Sequence, residues 1–184
     1  DVEAIQSSIR RFAEENGGID VFVANAGITV FAPFLDVRPD EFDYLMHVNM
    51  RGTYFSVQEA ARQMIQRRIK GRIVLMSSVC GIQSHANTSS YGMTKAGIRH
   101  LAISLADELG PHGITVNVVA PGPIQTDNFW GIIPKGSDRE AELAKRIPVG
   151  RLGTTEDVSN AFLFFCAPEN SFVTGQVLYV CGGA

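Results

Sequence analysis

No apolar run in the sequence approaches the roughly 18 residues that a membrane-spanning helix needs, so no membrane segment is expected. A basic excess is missing too. Lys and Arg number 16 against 19 Asp and Glu, a net charge of −3, and no positive field invites nucleic acid or an anionic membrane surface. Cysteine is scarce: Cys80, Cys166 and Cys181 are too scattered for a metal cluster or a disulfide framework. They read as small buried or half-buried thiols of a reducing, cytoplasmic setting. His47, His85, His100 and His112 show no ligand-like clustering, so no metal is expected. Repeats, low-complexity tracts and linkers are absent. What remains is 184 residues, 45% apolar and 19% charged, which suits one soluble domain with a sizeable core.

Residues 2–15 carry Val2, Ile5, Ile9 and Phe12 at helical spacing, an amphipathic surface helix closed by Asn16, Gly17 and Gly18. Residues 19–24, 71–77, 114–120 and 176–180 are short apolar runs with β-branched residues, the pattern of strands buried in a parallel sheet. Helical stretches lie between them. Pro39, Asp40 and Glu41 form a first turn with acidic groups at the positive dipole end, and helix continues over 54–68. Residues 89–110 form another helix, and Thr154 to Asp157 start one that stops before Pro168. This alternation is α/β with a parallel sheet. Asn49 falls inside a helical pattern, an unfavourable place. It is either exposed or locally bonded, or it kinks the helix and holds a water behind Lys95. Residues 127–149 mix Phe129, Trp130, Ile132 and Ile133 with Lys135, Gly136 and Ser137, which is either a lid over an apolar pocket or a surface loop and helix.

The densest chemistry lies in residues 77–95. An apolar run ends in Ser77 and Ser78, a loop of small and polar residues follows, and Tyr91 and Lys95 open a helix four residues apart. That spacing sets a phenol and an ammonium on one helix face. A free phenol titrates near about 10, and a neighbouring cation lowers that value, so Lys95 is expected to tune Tyr91 as an acid or base. Ser78 is placed to donate to a carbonyl oxygen that gains negative charge, and Cys80, two residues on, is a candidate for the substrate pocket. Such a trio serves carbonyl reduction when hydride comes from elsewhere, which implies a nicotinamide cofactor. Strand ends at Asn25-Ala26-Gly27 and Pro121-Gly122 fall where parallel sheets meet ligands. Asn25 either braces neighbouring strands or touches the cofactor. Thr126 either bonds a carboxamide or phosphate or is an ordinary loop threonine.

A serine about a dozen residues before Tyr91-x-x-x-Lys95 resembles the signature of the short-chain dehydrogenase/reductases, and Ser78 fits that spacing better than Ser77. Ala24-Asn25-Ala26-Gly27 resembles the family's Asn-Asn-Ala-Gly, and Asn49 lies in its Val-Asn-x-x-Gly context. Gly175-Gln176 and Cys181-Gly182-Gly183 resemble its ending, with cysteine where aspartate is usual. Residues 147–153 look most like 3-oxoacyl-acyl-carrier-protein reductases and related ketone reductases. The resemblance implies a Rossmann-like doubly wound parallel sheet and a catalytic set of Asn49, Ser78, Tyr91 and Lys95. It implies NAD or NADP at Asn25, Ala26, Gly27, Asn49, Tyr91, Lys95, Pro121, Gly122, Ile124 and Thr126. A ketone, with 3-oxoacyl compounds among the candidates, would meet Ser78, Cys80, Tyr91, Phe129 and Trp130. A homotetramer is implied through the helices at 54–68 and 89–110 and the last strand.

One departure stands out. The family opens with a strand and Thr-Gly-x-x-x-Gly-x-Gly, whose glycines admit a pyrophosphate to a helix N-terminus, and that segment is not in the sequence. The expectation is a single Rossmann-like domain over 1–184 that belongs to a longer chain, with on the order of 60–80 residues of the nucleotide-binding half preceding it. The strand at 19–24 would then show a bare apolar edge, prone to aggregation. Two alternatives stand beside this reading. One is a noncatalytic structural or regulatory family member. The other is a Ser-Tyr-Lys hydrolase, disfavoured because Gly92 stands three residues before Lys95 and Ser78 lacks a Gly-x-Ser-x-Gly elbow.

Overall fold

The computed structural model describes residues 1–183. Four strands, β1 (Val21–Ala24), β2 (Arg72–Met76), β3 (Thr115–Pro121) and β4 (Val177–Val180), form one sheet in the order β1-β2-β3-β4. Every pairing is parallel, with Val23 opposite Val74 and Leu75 opposite Val118. Parallel neighbours need crossovers, and helices supply them. They are α1 (Val2–Glu15), α2 (Pro39–Met46), α3 (Thr53–Gln66), α4 (Ser89–Leu109), the short α5 (Asp127–Trp130), α6 (Asp138–Arg146) and α7 (Thr155–Cys166). Asp1 caps α1 through Glu3 N, and Thr154 and Asp157 form a reciprocal capping box on α7.

Successive strand side chains point to opposite faces, and both faces are buried. Ile73, Leu75, Val116 and Val118 join Ala13, Val57, Met64, Ile98 and Ala102 beneath α1, α3 and α4. Val74 and Val119 face the other way, onto Val158, Ala161 and Phe165 of α7. The result is a three-layer, Rossmann-like α/β sandwich. Each Val, Leu, Ile, Met or Phe among them contributes about 1.5–3 kcal/mol by leaving water. Asn117 lies among them at 1% exposure. Its Nδ2 donates to Val173 O at 2.8 Å and its Oδ1 accepts from Gln176 N at 3.0 Å, which fastens the entry to β4 onto β3.

The far edge of β1 pairs with no strand among the described residues, and Val21 and Val23 are each 41% exposed there. A groove of about 1000 Å³, lined by Ile5, Ile9, Phe22 and Val48 among others, runs beside it. Element boundaries differ little from the sequence reading. The first strand starts at Val21 rather than residue 19, although Ile19 is still buried. The segment 127–149 resolves into α5 and α6. No α6 residue is buried, in keeping with the surface-helix alternative for this segment. No helix among the described residues is long and apolar enough to cross a membrane.

Candidate functional site

The carboxyl ends of β1, β2 and β3 open onto one cleft of about 970 Å³, the usual ligand position for such a sheet. Asn25 and Gly27 follow β1, Ser77 and Ser78 follow β2, and Pro121 ends β3, with Gly122, Ile124 and Thr126 after it on the wall. Tyr91 and Lys95 come from the first two turns of α4.

The junction between β2 and α4 is closely tied. Ser77 donates its hydroxyl to the Lys95 carbonyl at 2.8 Å, and Lys95 Nζ donates to the Met76 carbonyl at 3.1 Å. Ser78 is extended (φ −165°, ψ 159°), and its hydroxyl accepts from Cys80 N at 3.2 Å to start the 3₁₀ turn Val79–Gly81. That turn lies flat on α4. A Cβ at Gly81 would stand 2.9 Å from the Lys95 carbonyl carbon and 3.0 Å from Ala96 N. Arg99, one turn beyond Lys95, donates to Gly81 O at 2.8 Å. One helix therefore carries the phenol and the amine and also anchors the loop that carries the hydroxyl.

Asn49 is fully buried within a π-helical turn, His47–Gly52, between α2 and α3. Its side chain accepts from Ile28 N at 2.8 Å and donates to Ile28 O at 2.9 Å and to Thr94 Oγ1 at 3.2 Å. The regular helix is interrupted at this asparagine by the π-helical turn, a form helices often adopt at functional sites. Asn49 does not itself line the cleft, and its amide is held by Ile28 and Thr94.

Burial sets the electrostatics. The Tyr91 phenol is pushed up to about 12, first by loss of water and further by the Cys80 thiol, while a hydrogen bond with Ser78 pulls the other way. Lys95, 3% exposed, is lowered to about 8 by the same desolvation, slightly offset by Cys80. The expected lowering of Tyr91 by Lys95 therefore does not hold for the chain by itself. The ammonium lies 5.6 Å from the centre of the phenol ring and bonds to Met76 O, and desolvation outweighs its attraction. At neutral pH the phenol is a proton donor, with Ser78 beside it.

Gly27 leaves room where a Cβ would stand 3.3 Å from Lys95 Nζ and 3.4 Å from Asn49 Oδ1. Lys95 has three N–H groups, of which one serves Met76. The Thr126 hydroxyl accepts from Phe129 N at 3.2 Å, which leaves its own hydrogen to donate. Such a donor set beside a gap in the side-chain wall suits a flat, hydroxyl-bearing group.

The structure also redistributes the expected substrate residues. Phe129 lines the cleft, whereas Cys80 and Trp130 do not. Trp130 packs edge-on against Phe129, with ring centroids 5.0 Å apart. Ala26 lines the groove beside β1 instead of the cleft. Phe31, Ile132, Phe162 and Leu163 complete the cleft wall. Ile132 belongs to the apolar segment read from the sequence as a candidate lid, whereas Phe31, Phe162 and Leu163 were missed because a loop and an exposed helix face bring them in without any spacing signal.

Known proteins match this arrangement. A family model described as enoyl-(acyl carrier protein) reductase matches residues 1–184. A short-chain dehydrogenase/reductase of Armillaria gallica is 41% identical, over 97% of this chain and 70% of the relative. A 3-oxoacyl-(acyl-carrier-protein) reductase of Vibrio harveyi is 34% identical, over 100% of this chain and 73% of the relative. The NADP-bound structure of ElxO superposes with a TM-score of 0.92 at 32% identity, over 99% of this chain and 73% of that one. The chain thus spans about seven tenths of the length of these relatives.

Two outcomes follow from the geometry. Gly81→Ala forces the 3₁₀ turn off α4 and should lower stability by about 1–3 kcal/mol, read as a fall in urea midpoint. Gly110→Ala, where nothing lies within 4 Å, is the control and should change little. In the cofactor-free chain, phenolate absorbance that Tyr91→Phe removes should appear only well above pH 10, since the folded value near 12 lies above the ordinary one. A Tyr91 signal near neutrality would contradict the dominance of burial.

Proposed function

The chain belongs to the short-chain dehydrogenase/reductase family, and from that premise we propose that it is an NAD(P)-dependent oxidoreductase interconverting a ketone and a secondary alcohol. The observation that carries the reading is the meeting of Ser78, Tyr91 and Lys95 at the floor of one cleft. When bound, the nicotinamide supplies or accepts the hydride. The residues present fit its nicotinamide end: Gly27 leaves space, Lys95 and Thr126 offer donors, and Asn25 presents an exposed amide.

In this proposal Ser78 donates to the carbonyl oxygen as negative charge grows there. Tyr91 passes its phenolic proton to the same oxygen in reduction and takes it back in alcohol oxidation. Lys95 holds a positive charge beneath the phenol ring and offers its remaining donors to the cofactor's hydroxyls. That charge matters most when the phenol ionises, because it then offsets part of the desolvation that raises Tyr91. Asn49 acts at one remove. It holds the Ile28 backbone on one side and Thr94 on the other, and so it positions the loop after β1 against α4. An active-site water beside it would continue the proton path.

A homotetramer is part of the same proposal. The outer faces of α3 and α4 frame a groove of about 310 Å³ lined by Tyr54, Val57, Ala61, Ile65 and Leu105, and Tyr54 and Ile103 are 47% and 52% exposed. A cytoplasmic setting, supported by the scattered cysteines, belongs to it as well.

Tyr91→Phe should lower turnover by at least about 100-fold, the scale of a lost general acid, while nicotinamide fluorescence still reports cofactor binding. Retained turnover would overturn the role given to Tyr91. Light scattering of the full chain should give a tetramer, and Tyr54→Glu should shift it to smaller species. A monomeric parent would overturn the assembly.

A further inference from the structure

We infer that the cleft selects neutral ketones with apolar arms, aryl or alkyl, and turns away carboxylates and polyols; this deepens the oxidoreductase reading and rests on it. The first observation is the position of Phe31. It stands in the loop after β1, with its ring perpendicular to that of Tyr91 at a centroid distance of 5.6 Å. The loop is fastened beside it, because Ala32 N donates to Asn87 O at 3.1 Å in the segment that leads into α4. One loop pair therefore places an aromatic edge against the phenol.

The second observation is the rest of the apolar lining. Phe129 and Ile132 come from α5 and the turn after it, and Phe162 and Leu163 come from α7. Phe31, Ile132 and Leu163 are 45%, 43% and 67% exposed, so these apolar surfaces face water. A ligand with an apolar arm would remove that surface from solvent, which is favourable in proportion to area.

The third observation is charge. Among the described residues that line the cleft, Lys95 alone carries a fixed charge, and neither a guanidinium nor a carboxylate accompanies it. Lys95 lies at the floor, bonded to Met76 O. A carboxylate on the substrate's distal arm would lose hydration against this wall without a counter-charge. A polyol could bond Asn128, Thr155 and Ser159 on the same lining, but its arm would take none of the apolar surface of Phe31, Ile132 and Leu163 out of water.

The test compares kcat/KM, with NADH and NADPH, for a neutral aryl ketone, the same ketone bearing a carboxylate on its arm, and an aldose. The neutral ketone should lead by at least about 100-fold, as two or more tenfold steps of desolvation imply. Phe31→Ala should cost the aryl ketone about 10- to 100-fold, mostly in KM, and Phe31→Leu should restore most of it. Ile132→Arg should raise kcat/KM for the carboxylate at least about tenfold. Binding is read separately from the fluorescence of Trp130, the only tryptophan, which packs on Phe129. A carboxylate or aldose that matches the neutral ketone overturns this inference and leaves the oxidoreductase reading standing. Selective quenching of Trp130 by the neutral ketone without turnover of any carbonyl supports the inference about the cleft and overturns the reading of the chemistry. Equal binding of all three without turnover overturns both.

Discussion

Two hydrogen bonds cross between the end of β2 and the helix α4: Ser77 hydroxyl to Lys95 carbonyl, and Lys95 ammonium to Met76 carbonyl. All four groups belong to segments that are buried or nearly so, and a buried polar group left without its partner costs about 1–3 kcal/mol. The pair therefore fixes the strand end against the helix in one arrangement. Ser78 is the next residue on one side, and Tyr91 is one turn back on the other. Gly81 and Arg99 extend the same contact along α4. Hydroxyl, phenol and amine are thus brought together by bonds from side chains to backbone carbonyls, one of them made by the amine itself.

This arrangement has an electrostatic cost. Lys95 is nearly buried, has one carbonyl partner, and sits in the early turns of a helix, where the dipole disfavours a cation. Its lowering to about 8 and the raising of Tyr91 to about 12 follow from the same scarcity of water. A fold optimised only for stability would place an apolar residue at position 95. Retaining an ammonium there is the kind of local unfavourable choice that marks sites of function. The protonated phenol at neutral pH also gives the site a direction, because the free chain is ready to donate a proton to a carbonyl oxygen.

The site was legible in the sequence to the extent that spacing encodes it. Tyr91 and Lys95 share a helix face because they are four apart, and Ser78 closes a β-branched strand. The layered fold was legible for the same reason, since strands buried on both faces carry no alternation. The effect of Lys95 on Tyr91 was misjudged, because spacing gives proximity but not solvent access. Cys80 was placed on the substrate wall by its nearness to Ser78 and Trp130 by its place in an apolar lid-like segment, and neither lines the cleft, because sequence nearness does not give the direction of a side chain. Phe31 was invisible because its role depends on a hydrogen bond between two loops, Ala32 to Asn87, and no local pattern records such a contact.

Asn49 joins these separate parts. An asparagine in a regular helix would compete with the backbone for hydrogen bonds. Here the π-helical turn aims its amide inward, where it bonds both backbone groups of Ile28 much as a neighbouring strand would. Its third bond, to Thr94 Oγ1, reaches α4 between Tyr91 and Lys95, and Thr94 in turn donates to the Tyr91 carbonyl at 2.8 Å. The loop that presents Gly27 and Phe31 is therefore referenced to the same helix as the acid and the amine. Both the floor of the cleft and its aromatic wall take their position from α4, and this is why a pocket assembled from loops at three strand ends can hold one geometry.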